Sequence, residues 1–114
     1  MAASSEAPHF PRPAPIDSYG KGGFRFAGMS HRGSLLCLPS GIWAWPVNEA
    51  GEISESSLEQ VFAEAAAMSL FFLGTGREPA PIDSVLHQRF SELKLNLEVM
   101  RTAHAANTYN ILLG

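Results

Sequence analysis

The amino-acid sequence predicts an α/β fold in which an N-terminal β layer precedes a helix–strand–helix–strand–helix series. Aromatic residues alternate with polar ones in GKGGFRFAG (Gly20 to Gly28), which is the period of a half-buried strand. Apolar residues then recur at helical spacing from Leu58 to Ala65. The short apolar run Leu70–Leu73 lacks polar alternation, which is typical of a strand covered on both faces.

Length and composition indicate one globular domain. The chain has 114 residues, 46% hydrophobic and 17% charged, and a formal net charge of −3. This balance excludes a disordered chain and the basic surface that non-specific nucleic-acid binding needs. The N-terminus lacks the apolar run of a secretory signal, and no window approaches the roughly 18 apolar residues of a membrane span. We therefore expect a soluble, cytoplasmic protein.

Two segments open the chain before the helical region. Residues 1–15 carry four prolines between Pro8 and Pro15, so we expect a flexible or surface-draped arm ahead of a single domain, residues 16–114. A β-hairpin follows, with strands Leu35–Leu38 and Ile42–Val47 and with PSG as the turn between them. The two tryptophans of WAW share one face of the second strand, and we assign that face to the core in preference to an exposed aromatic patch.

The middle of the chain predicts a helix, a strand and a second helix. Ser56 and Glu59 have the spacing of a capping box, which predicts a helix from about Ser57 to Ala67. The run Leu70–Leu73 follows as a central strand. Asp83 is the predicted N-cap of the second helix.

The last third predicts a strand and a third helix. Apolar and polar residues alternate from about Lys94 to Met100, the pattern of a strand. Thr102 is the predicted N-cap of the last helix. The buried stripe of that helix is expected to comprise Ala105, Ala106, Tyr109, Leu112 and Leu113. Two strands joined through a helix should be parallel neighbours.

Parallel strands would bring two loops to one edge of the sheet, where open α/β sheets place their ligands. The residues gathered there are Gly74, Thr75, Gly76, Arg77, Arg101, Thr102 and His104. Backbone amides and two guanidinium groups favour an anion or another polar ligand. Known nucleotide loops are excluded, because Pro79 replaces the third glycine of a dinucleotide fingerprint and Gly76 is followed by arginine and not by lysine. The simpler interpretation, which we favour, is that the glycines only shape a turn.

Catalytic and metal chemistry find little support in the sequence. His104 and Thr108 share the outer side of the last helix, but a catalytic histidine needs a nucleophile or carboxylate within reach, and only Glu98 is a candidate. The four histidines lack metal-ligand spacing, and Cys37 lies in an apolar strand. We predict no catalytic residue, no metal and no cofactor.

Four segments together resemble one known family. They are IDSYGKGGFRFAG, HRGSLLCLPSGIWAWPV, FFLGTGRE and VMRTAHAANTYNILLG. The family is a small uncharacterised bacterial and archaeal domain that includes mitochondrial NADH:ubiquinone oxidoreductase (complex I) assembly factor three. The resemblance covers about Ile16 to Gly114, nearly everything but the proline-rich arm.

This resemblance implies a layered α/β fold with a mixed central sheet, no established catalytic activity and, in eukaryotic members, assembly work through protein contact at the inner membrane. It also implies that three family features line one region. They match Tyr19, Gly20, Gly23 and Phe24, then Gly74, Gly76 and Arg77, then Thr102, Ala105, Thr108, Tyr109 and Asn110. Family members continue into a final apolar strand, so we expect this chain to be C-terminally truncated, with unpaired backbone and an apolar seam.

We therefore predict a non-catalytic interaction domain whose partner, by resemblance, is a respiratory-chain subunit or another assembly factor. Peripheral contact with the inner membrane and association between copies of the chain are both compatible with this role. The alternative is a small-molecule or anion-binding protein, or an enzyme, that uses Arg77, Arg101 and Thr102. A pocket of a few hundred Å³ with both arginines turned inward would support the alternative, and an apolar aromatic patch would support the interaction domain.

Overall fold

The computed structural model describes residues 7–113, and there it confirms the α/β class and the predicted order of elements. The strands are β1 Ile16–Gly20, β2 Gly23–Phe26, β3 Met29–Arg32, β4 Ser34–Leu38, β5 Gly41–Trp45, β6 Leu70–Gly74 and β7 Asn96–Met100. The helices are α1 Glu59–Ala63, α2 Ser84–Glu92 and α3 Thr102–Leu113. Short 3₁₀ turns cover Ala50–Glu52, Ser56–Leu58 and Ala65–Ala67, so the predicted first helix is a short α segment between two such turns.

Strand pairing is divided among three small sheets. Strands β1, β2 and β3 form an antiparallel meander, β4 and β5 form the predicted hairpin, and β6 pairs with β7. The β6–β7 pair is parallel, from Leu70 opposite Asn96 to Gly74 opposite Met100, as the intervening helix predicted. The ends of both parallel strands therefore open at one edge of the molecule.

Two apolar clusters hold these layers together. The larger joins the β4–β5 hairpin to α1, β6 and α2, and Phe90 lies within it against the rings of Phe62 and Phe71, with centroid distances of 5.1 and 5.7 Å. Both tryptophans of β5 pack in this cluster, which confirms their assignment to the core. The smaller cluster packs the meander against the other face of the hairpin and against α3.

Part of the N-terminal arm lies along β5. The amides of His9 and Phe10 donate to the carbonyl of Ile42 at 2.8 and 3.3 Å, and the Ile42 amide donates to the Phe10 carbonyl at 2.9 Å. A Cβ built on Gly41, which has φ 144°, would overlap the Phe10 carbonyl oxygen, so this close approach requires glycine. The rest of the predicted arm, residues 1–6, lies outside the described residues.

Helix caps are partly as predicted. Asp83 caps α2, because its Oδ1 accepts from the Val85 amide at 3.0 Å. The predicted capping box of Ser56 and Glu59 is wrong, since no side chain caps the turn that begins at Ser56. The reciprocal bonds join Ser54 and Ser57 instead, each amide donating to the other hydroxyl at 2.9 and 3.3 Å. The chain therefore turns two residues earlier than predicted.

The predicted start of the last strand is also wrong, because Lys94 ends α2. Its φ is 58°, in the left-handed region. The Lys94 amide donates to the Ser91 carbonyl and the Leu95 amide donates to the Phe90 carbonyl, each at 3.0 Å. This is a Schellman motif with lysine where glycine is usual, and it delays β7 to Asn96.

Lys94→Gly is expected to raise the free energy of unfolding by about 0.5–1 kcal/mol. Glycine adopts the left-handed conformation without the Cβ penalty of about 1–2 kcal/mol, and its greater unfolded-state entropy offsets part of that gain. Urea unfolding measures the change. Lys94→Ala is the matched control, because it removes the same exposed side chain and keeps the strain. Equal stability of the two variants would contradict the prediction.

Candidate functional site

The loops after β6 and β7 meet, which confirms the predicted edge. The Thr75 amide donates to the Met100 carbonyl at 3.0 Å, and the Thr102 amide donates to the Gly76 carbonyl at 2.8 Å. The Gly76 amide donates to the Thr102 hydroxyl at 2.9 Å. Thr102 is the first residue of α3 and its oxygen is used by this loop, so its prediction as the N-cap is wrong.

The GTG loop is held by its own hydrogen bonds. The Thr75 hydroxyl donates to the Glu78 carbonyl at 3.0 Å and accepts from the Ala80 amide at 2.9 Å. A Cβ built on Gly74 would lie 2.8 Å from the Cα of Thr102, so the two loops touch only because this residue is glycine. The amides of Thr75 and Gly76, which an anion site would need, are thus already bonded within the protein.

The charged side chains of this edge point into solvent. Arg77, Arg101 and His104 are exposed. Among residues 7–113, the one ion pair within 4 Å joins Arg89 and Glu55, so neither arginine of the edge has a carboxylate partner there. Within residues 7–113 these side chains form an open cationic edge and do not enclose an anion.

Arg77→Ala and Arg101→Ala are each expected to change the free energy of unfolding by less than about 0.5 kcal/mol, because exposed side chains without partners contribute little. Thermal unfolding measures this. Arg89→Ala is the comparison, since Arg89 pairs with Glu55 at 3.5 Å and covers the Phe62 ring at 5.2 Å. This variant should therefore lower the free energy of unfolding by more than the other two do. A large loss of stability for Arg77→Ala would assign that arginine a structural role. If the unchanged protein binds phosphate and either variant does not, the anion site would be supported.

An apolar groove of about 800 Å³ lies beside this edge, between β4 and β6; we name it the β4–β6 groove. Every residue of β4 and of β6 lines it, and no residue of β7 does. Its other walls are formed by Ala105, Ala106, Tyr109, Leu112 and Leu113 of α3 and by Trp45, Val47 and Ile53. Glu49 is the one charged residue that lines it within the described chain.

The predicted site residues divide between the groove and the surface around it. Those that line the groove are Tyr19, Gly74, Thr75, Gly76 and Thr102. Those outside it are Arg77, Arg101, His104, Thr108 and Asn110. The structure thus brings the loop glycines and threonines together with an apolar surface and leaves the arginines outside.

The prediction of a fully buried stripe on α3 is wrong at its C-terminal end. Ala105 is buried and Tyr109 half-buried, but Leu112 is 60% exposed and Leu113 is also exposed. Leu70, predicted to be covered on β6, is exposed as well. These leucines share a cause, because they line the β4–β6 groove and no element of residues 7–113 fills it.

Asn110 fastens β1 to α3. Its Oδ1 accepts from the Ile16 amide at 2.8 Å, and its Nδ2 donates to the Ile16 carbonyl at 2.7 Å. The adjacent Tyr109 hydroxyl donates to the Ala14 carbonyl at 3.1 Å. Asn110, predicted as a binding residue, therefore uses its whole amide on the backbone of the first strand.

Cys37 and Tyr109 meet in the lining of the β4–β6 groove, and neither side chain is ionised at neutral pH. Burial raises the pKa of the Cys37 thiol to about 11. Burial, with a smaller effect from Cys37, raises the pKa of the Tyr109 hydroxyl to about 12. At neutral pH both keep their protons, so Cys37 is no activated nucleophile, in agreement with its assignment to an apolar strand.

Two histidines that the sequence keeps apart are neighbours. The rings of His9 in the arm and His31 in β3 have centroids 4.8 Å apart. Desolvation and the charge of His9 lower the pKa of His31 from 6.5, and the hydrogen bond from its Nε2 to the Ser34 carbonyl at 3.1 Å opposes them. The folded protein thus holds a proton on His31 less tightly than the unfolded chain does.

Stability is therefore expected to fall as the pH drops below about 6.5, because the pKa of His31 is lower in the folded protein and unfolding then takes up a proton at His31. Well above this pH the imidazole is neutral in both states and makes no pH-dependent contribution. Urea midpoints at high and low pH measure the loss. His9→Gln removes the repelling charge and should reduce it, whereas His87→Gln on the exposed side of α2 should not. An undiminished loss in His9→Gln would contradict the role of the pair.

Residues 7–113 contain no group of three His, Cys, Asp or Glu side chains that could hold a metal ion. The longest helix there, α3, has 12 residues and cannot cross a bilayer, which takes about 20. The described edge and groove thus offer surfaces for binding and no preformed ion cage.

The residue patterns alone did not locate the groove, and only the family resemblance implied unpaired backbone and an apolar seam. The apolar runs of β4 and β6 predicted buried strands, but nothing in either run says that the two strands face each other across a gap. The pair Leu112 and Leu113 was the available signal, since two leucines in succession at a helix end favour an apolar contact.

Comparisons with known proteins agree with the fold. Residues 16–114 match the family model described as a protein of unknown function (DUF498/DUF598). An NMR structure from Rhodopseudomonas palustris is 46% identical with a TM-score of 0.83 and covers 100% of this chain and 84% of that chain. A Bartonella henselae crystal structure, described as an outer membrane protein, is 39% identical with a TM-score of 0.88 and covers 92% and 88%.

Several relatives carry one and the same functional name. NADH dehydrogenase [ubiquinone] 1 alpha subcomplex assembly factor 3 of Mus musculus is 27% identical over 103 residues. The match covers 90% of this chain and 56% of the mouse protein, so the chain spans just over half the length of that relative. The likeness therefore concerns the folded domain that the two proteins share.

Proposed function

Because the chain belongs to the DUF498/DUF598 family, we propose that it is a non-catalytic protein-interaction domain with an assembly role like that of its complex I assembly factor relatives. Its partner would be a respiratory-chain subunit or another assembly factor. The setting we propose is the cytoplasm, with peripheral contact to the inner membrane through that partner.

One observation carries this proposal, namely the chemistry of the β4–β6 groove. The groove is apolar, includes the aromatic rings of Trp45 and Tyr109, and has a single charged residue in its described lining. Apolar, charge-poor surfaces flanked by polar loops are typical of protein contacts. Enzyme sites commonly combine a pocket with convergent titratable groups, which this groove does not show among the described residues.

The small-molecule alternative has less support. The groove volume of about 800 Å³ is within the range of ligand sites. However, the alternative requires Arg77 and Arg101 to turn inward, and both are exposed outside the groove. The amides of Thr75, Gly76 and Thr102 beside them are bonded within the protein, so these three donors are not available to an anion.

The test is affinity purification of the tagged full chain from its own cells after crosslinking, with identification of the bound proteins. The proposal expects respiratory-chain subunits or their assembly factors to be enriched over a control purified with the tag alone. Native mass spectrometry of the same sample reports retained small molecules. A stoichiometric metabolite without any respiratory-chain protein would overturn the proposal in favour of the alternative.

A further inference from the structure

Charged residues are segregated between the layers of the molecule. Residues 7–32, which include part of the arm and the whole meander, contain four arginine or lysine residues and one carboxylate, Asp17. Residues 33–76 contain five glutamates and no arginine, lysine or histidine, and these glutamates all lie between β5 and β6, in the segment that includes α1. The meander packs on one face of the β4–β5 hairpin and α1 packs on the other. A cationic layer and an acidic layer therefore lie on opposite sides of the hairpin.

The register of the meander places its polar side chains on one face. Ser18 lies opposite Arg25, and Arg25 lies opposite Ser30. Side chains that lie opposite each other in a ladder share a face of the sheet, and all three residues are exposed. The two phenylalanines of β2 are on the other side and pack in the smaller cluster. We name the exposed side, with Ser18, Arg25, Ser30 and Arg32, the outer face of the meander.

The two arginines of the outer face are neighbours. Arg32 lies opposite Gly23, one row along from Arg25, and such diagonal neighbours are typically about 7–8 Å apart. Both are exposed, and among residues 7–113 the one ion pair within 4 Å is at Arg89, so Asp17 neutralises neither of them there. Two guanidinium groups at this spacing repel each other, and a carboxylate placed between them relieves the repulsion.

A serine orients one of these guanidinium groups. The Nη1 of Arg25 donates to the hydroxyl of Ser30 at 3.1 Å. Arginine has five N–H donors in a planar fork, so this bond fixes the direction of the group and leaves most of its donors free. The same fork matches the two oxygens of a carboxylate. Arg25 is therefore held in a position to receive an acidic side chain.

The row beside Arg32 has no side chain of its own to cover it. Gly20 lies opposite Gly23, and Gly23 lies opposite Arg32. A Cβ built on Gly23 would lie 2.7 Å from the carbonyl oxygen of His31, so glycine is required at this position. Lys21 follows in the exposed turn between β1 and β2 and adds a third cation. An incoming carboxylate can thus approach Arg32 over bare backbone.

We propose that the outer face of the meander binds an acidic surface segment of a protein partner, whose carboxylates pair with Arg25 and Arg32. The segregation of charge also orients that partner, because the meander attracts it and the acidic layer on the far side of the hairpin repels it. The inference rests on the proposed function only in taking a protein as the partner.

The chemistry of this face suits a protein better than a lipid surface or a nucleic acid. An anionic membrane contributes about 1 kcal/mol for each basic residue near its surface, and stable attachment takes a second, apolar signal. The outer face has three cations, if Lys21 is included, and serine as its other side chain, so it has no apolar group to insert. Nucleic acid would be repelled by the net charge of −3.

The experiment titrates the ¹⁵N-labelled full chain with a synthetic hexaglutamate peptide that has blocked ends, at neutral pH and low ionic strength. We expect the amides of Ser18, Arg25, Ser30 and Arg32 to shift with one common dissociation constant. Amides of α1 and β6 should not shift. The dissociation constant should rise about tenfold when the ionic strength is raised from about 20 to about 200 mM, because exposed charge pairs are screened by salt.

Exposed arginines elsewhere in the chain provide matched variants. Arg25→Gln and Arg32→Gln should each weaken hexaglutamate binding at least about threefold, and the double variant at least about tenfold. Arg77→Gln and Arg101→Gln remove the same charge from the edge beside the GTG loop and should change binding less than about twofold. All four arginines are exposed, so all the variants should fold.

Three outcomes would overturn the proposal. They are the absence of any shift with hexaglutamate at low salt, shifts centred on Arg77 and Arg101 in place of the meander, and unweakened binding in the double variant of Arg25 and Arg32. Sedimentation with phosphatidylglycerol vesicles by a chain that does not bind hexaglutamate would overturn it in favour of a lipid surface.

Purification from cells separates this proposal from the proposed function. If the double variant of Arg25 and Arg32 recovers respiratory-chain proteins as well as the unchanged chain does, the proposed function stands and the acidic-partner surface is removed. If hexaglutamate binds the meander as expected and no respiratory-chain protein is recovered, the surface stands and the proposed function is removed.

Discussion

Phe90→Ala is expected to lower the free energy of unfolding by about 3–5 kcal/mol, the usual cost of emptying a large aromatic site in a core. The Phe90 side chain of α2 is 1% exposed. It packs against the ring of Phe62 on α1 and the ring of Phe71 on β6. Its loss removes apolar burial and leaves a cavity that the surrounding rings fill only in part. Urea or thermal unfolding measures the change.

Val85→Ala on the same helix is the control for Phe90. Val85 is 55% exposed, so its truncation should cost less than about 0.5 kcal/mol. A loss below about 1 kcal/mol for Phe90→Ala would mean that α2 does not pack on β6 as described. The parallel strand pair, which brings the two loops of the predicted edge together, would then lack its support.

Asn110→Ala is expected to lower the free energy of unfolding by about 2–3 kcal/mol. The variant leaves the amide and the carbonyl of Ile16, a buried residue, without partners, and each unsatisfied group costs about 1–3 kcal/mol before relaxation. Asn110→Asp keeps the acceptor for the Ile16 amide and loses the donor, so it should cost less than alanine does. Chemical denaturation at neutral pH measures both variants.

Asn107→Ala is the matched control for Asn110, because both residues are on α3 and Asn107 is exposed. Alanine is the better helix former, so this change should be neutral or slightly stabilising. If Asn110→Ala kept full stability and lost a protein partner, Asn110 would return to the binding surface where the family resemblance placed it.

Local patterns predicted the elements whose signals are local. The alternation in β2 and the helical spacing after Leu58 each report on a few neighbouring residues, and both elements formed. The capping serine was misassigned because three serines, Ser54, Ser56 and Ser57, lie close together, and the spacing to Glu59 favoured the wrong one. The sequence did not predict the left-handed conformation of Lys94, since glycine is the usual residue at that position of a helix end.

The sequence predicted the position of the candidate site only through the direction of its two strands. A helix between two apolar strands predicts parallel pairing, and this placed the loops at Gly74 and Arg101 side by side. It did not predict that β4 lies across a gap from β6, because periodicity tells which residues share a face and not which edges face each other. Nor could it predict the role of Asn110, whose partner Ile16 is 94 residues away.

The bonds from Tyr109 and Asn110 to the first strand also set an order of events during synthesis. Ile16 cannot acquire its side-chain partner until translation has reached Asn110, which at about 5–20 residues per second takes about 5–20 s. Through that interval the nascent meander is missing the helix that closes its inner layer. The meander of the nascent chain is thus open to chaperones and proteases until α3 has been made, although it is among the first elements to be synthesised.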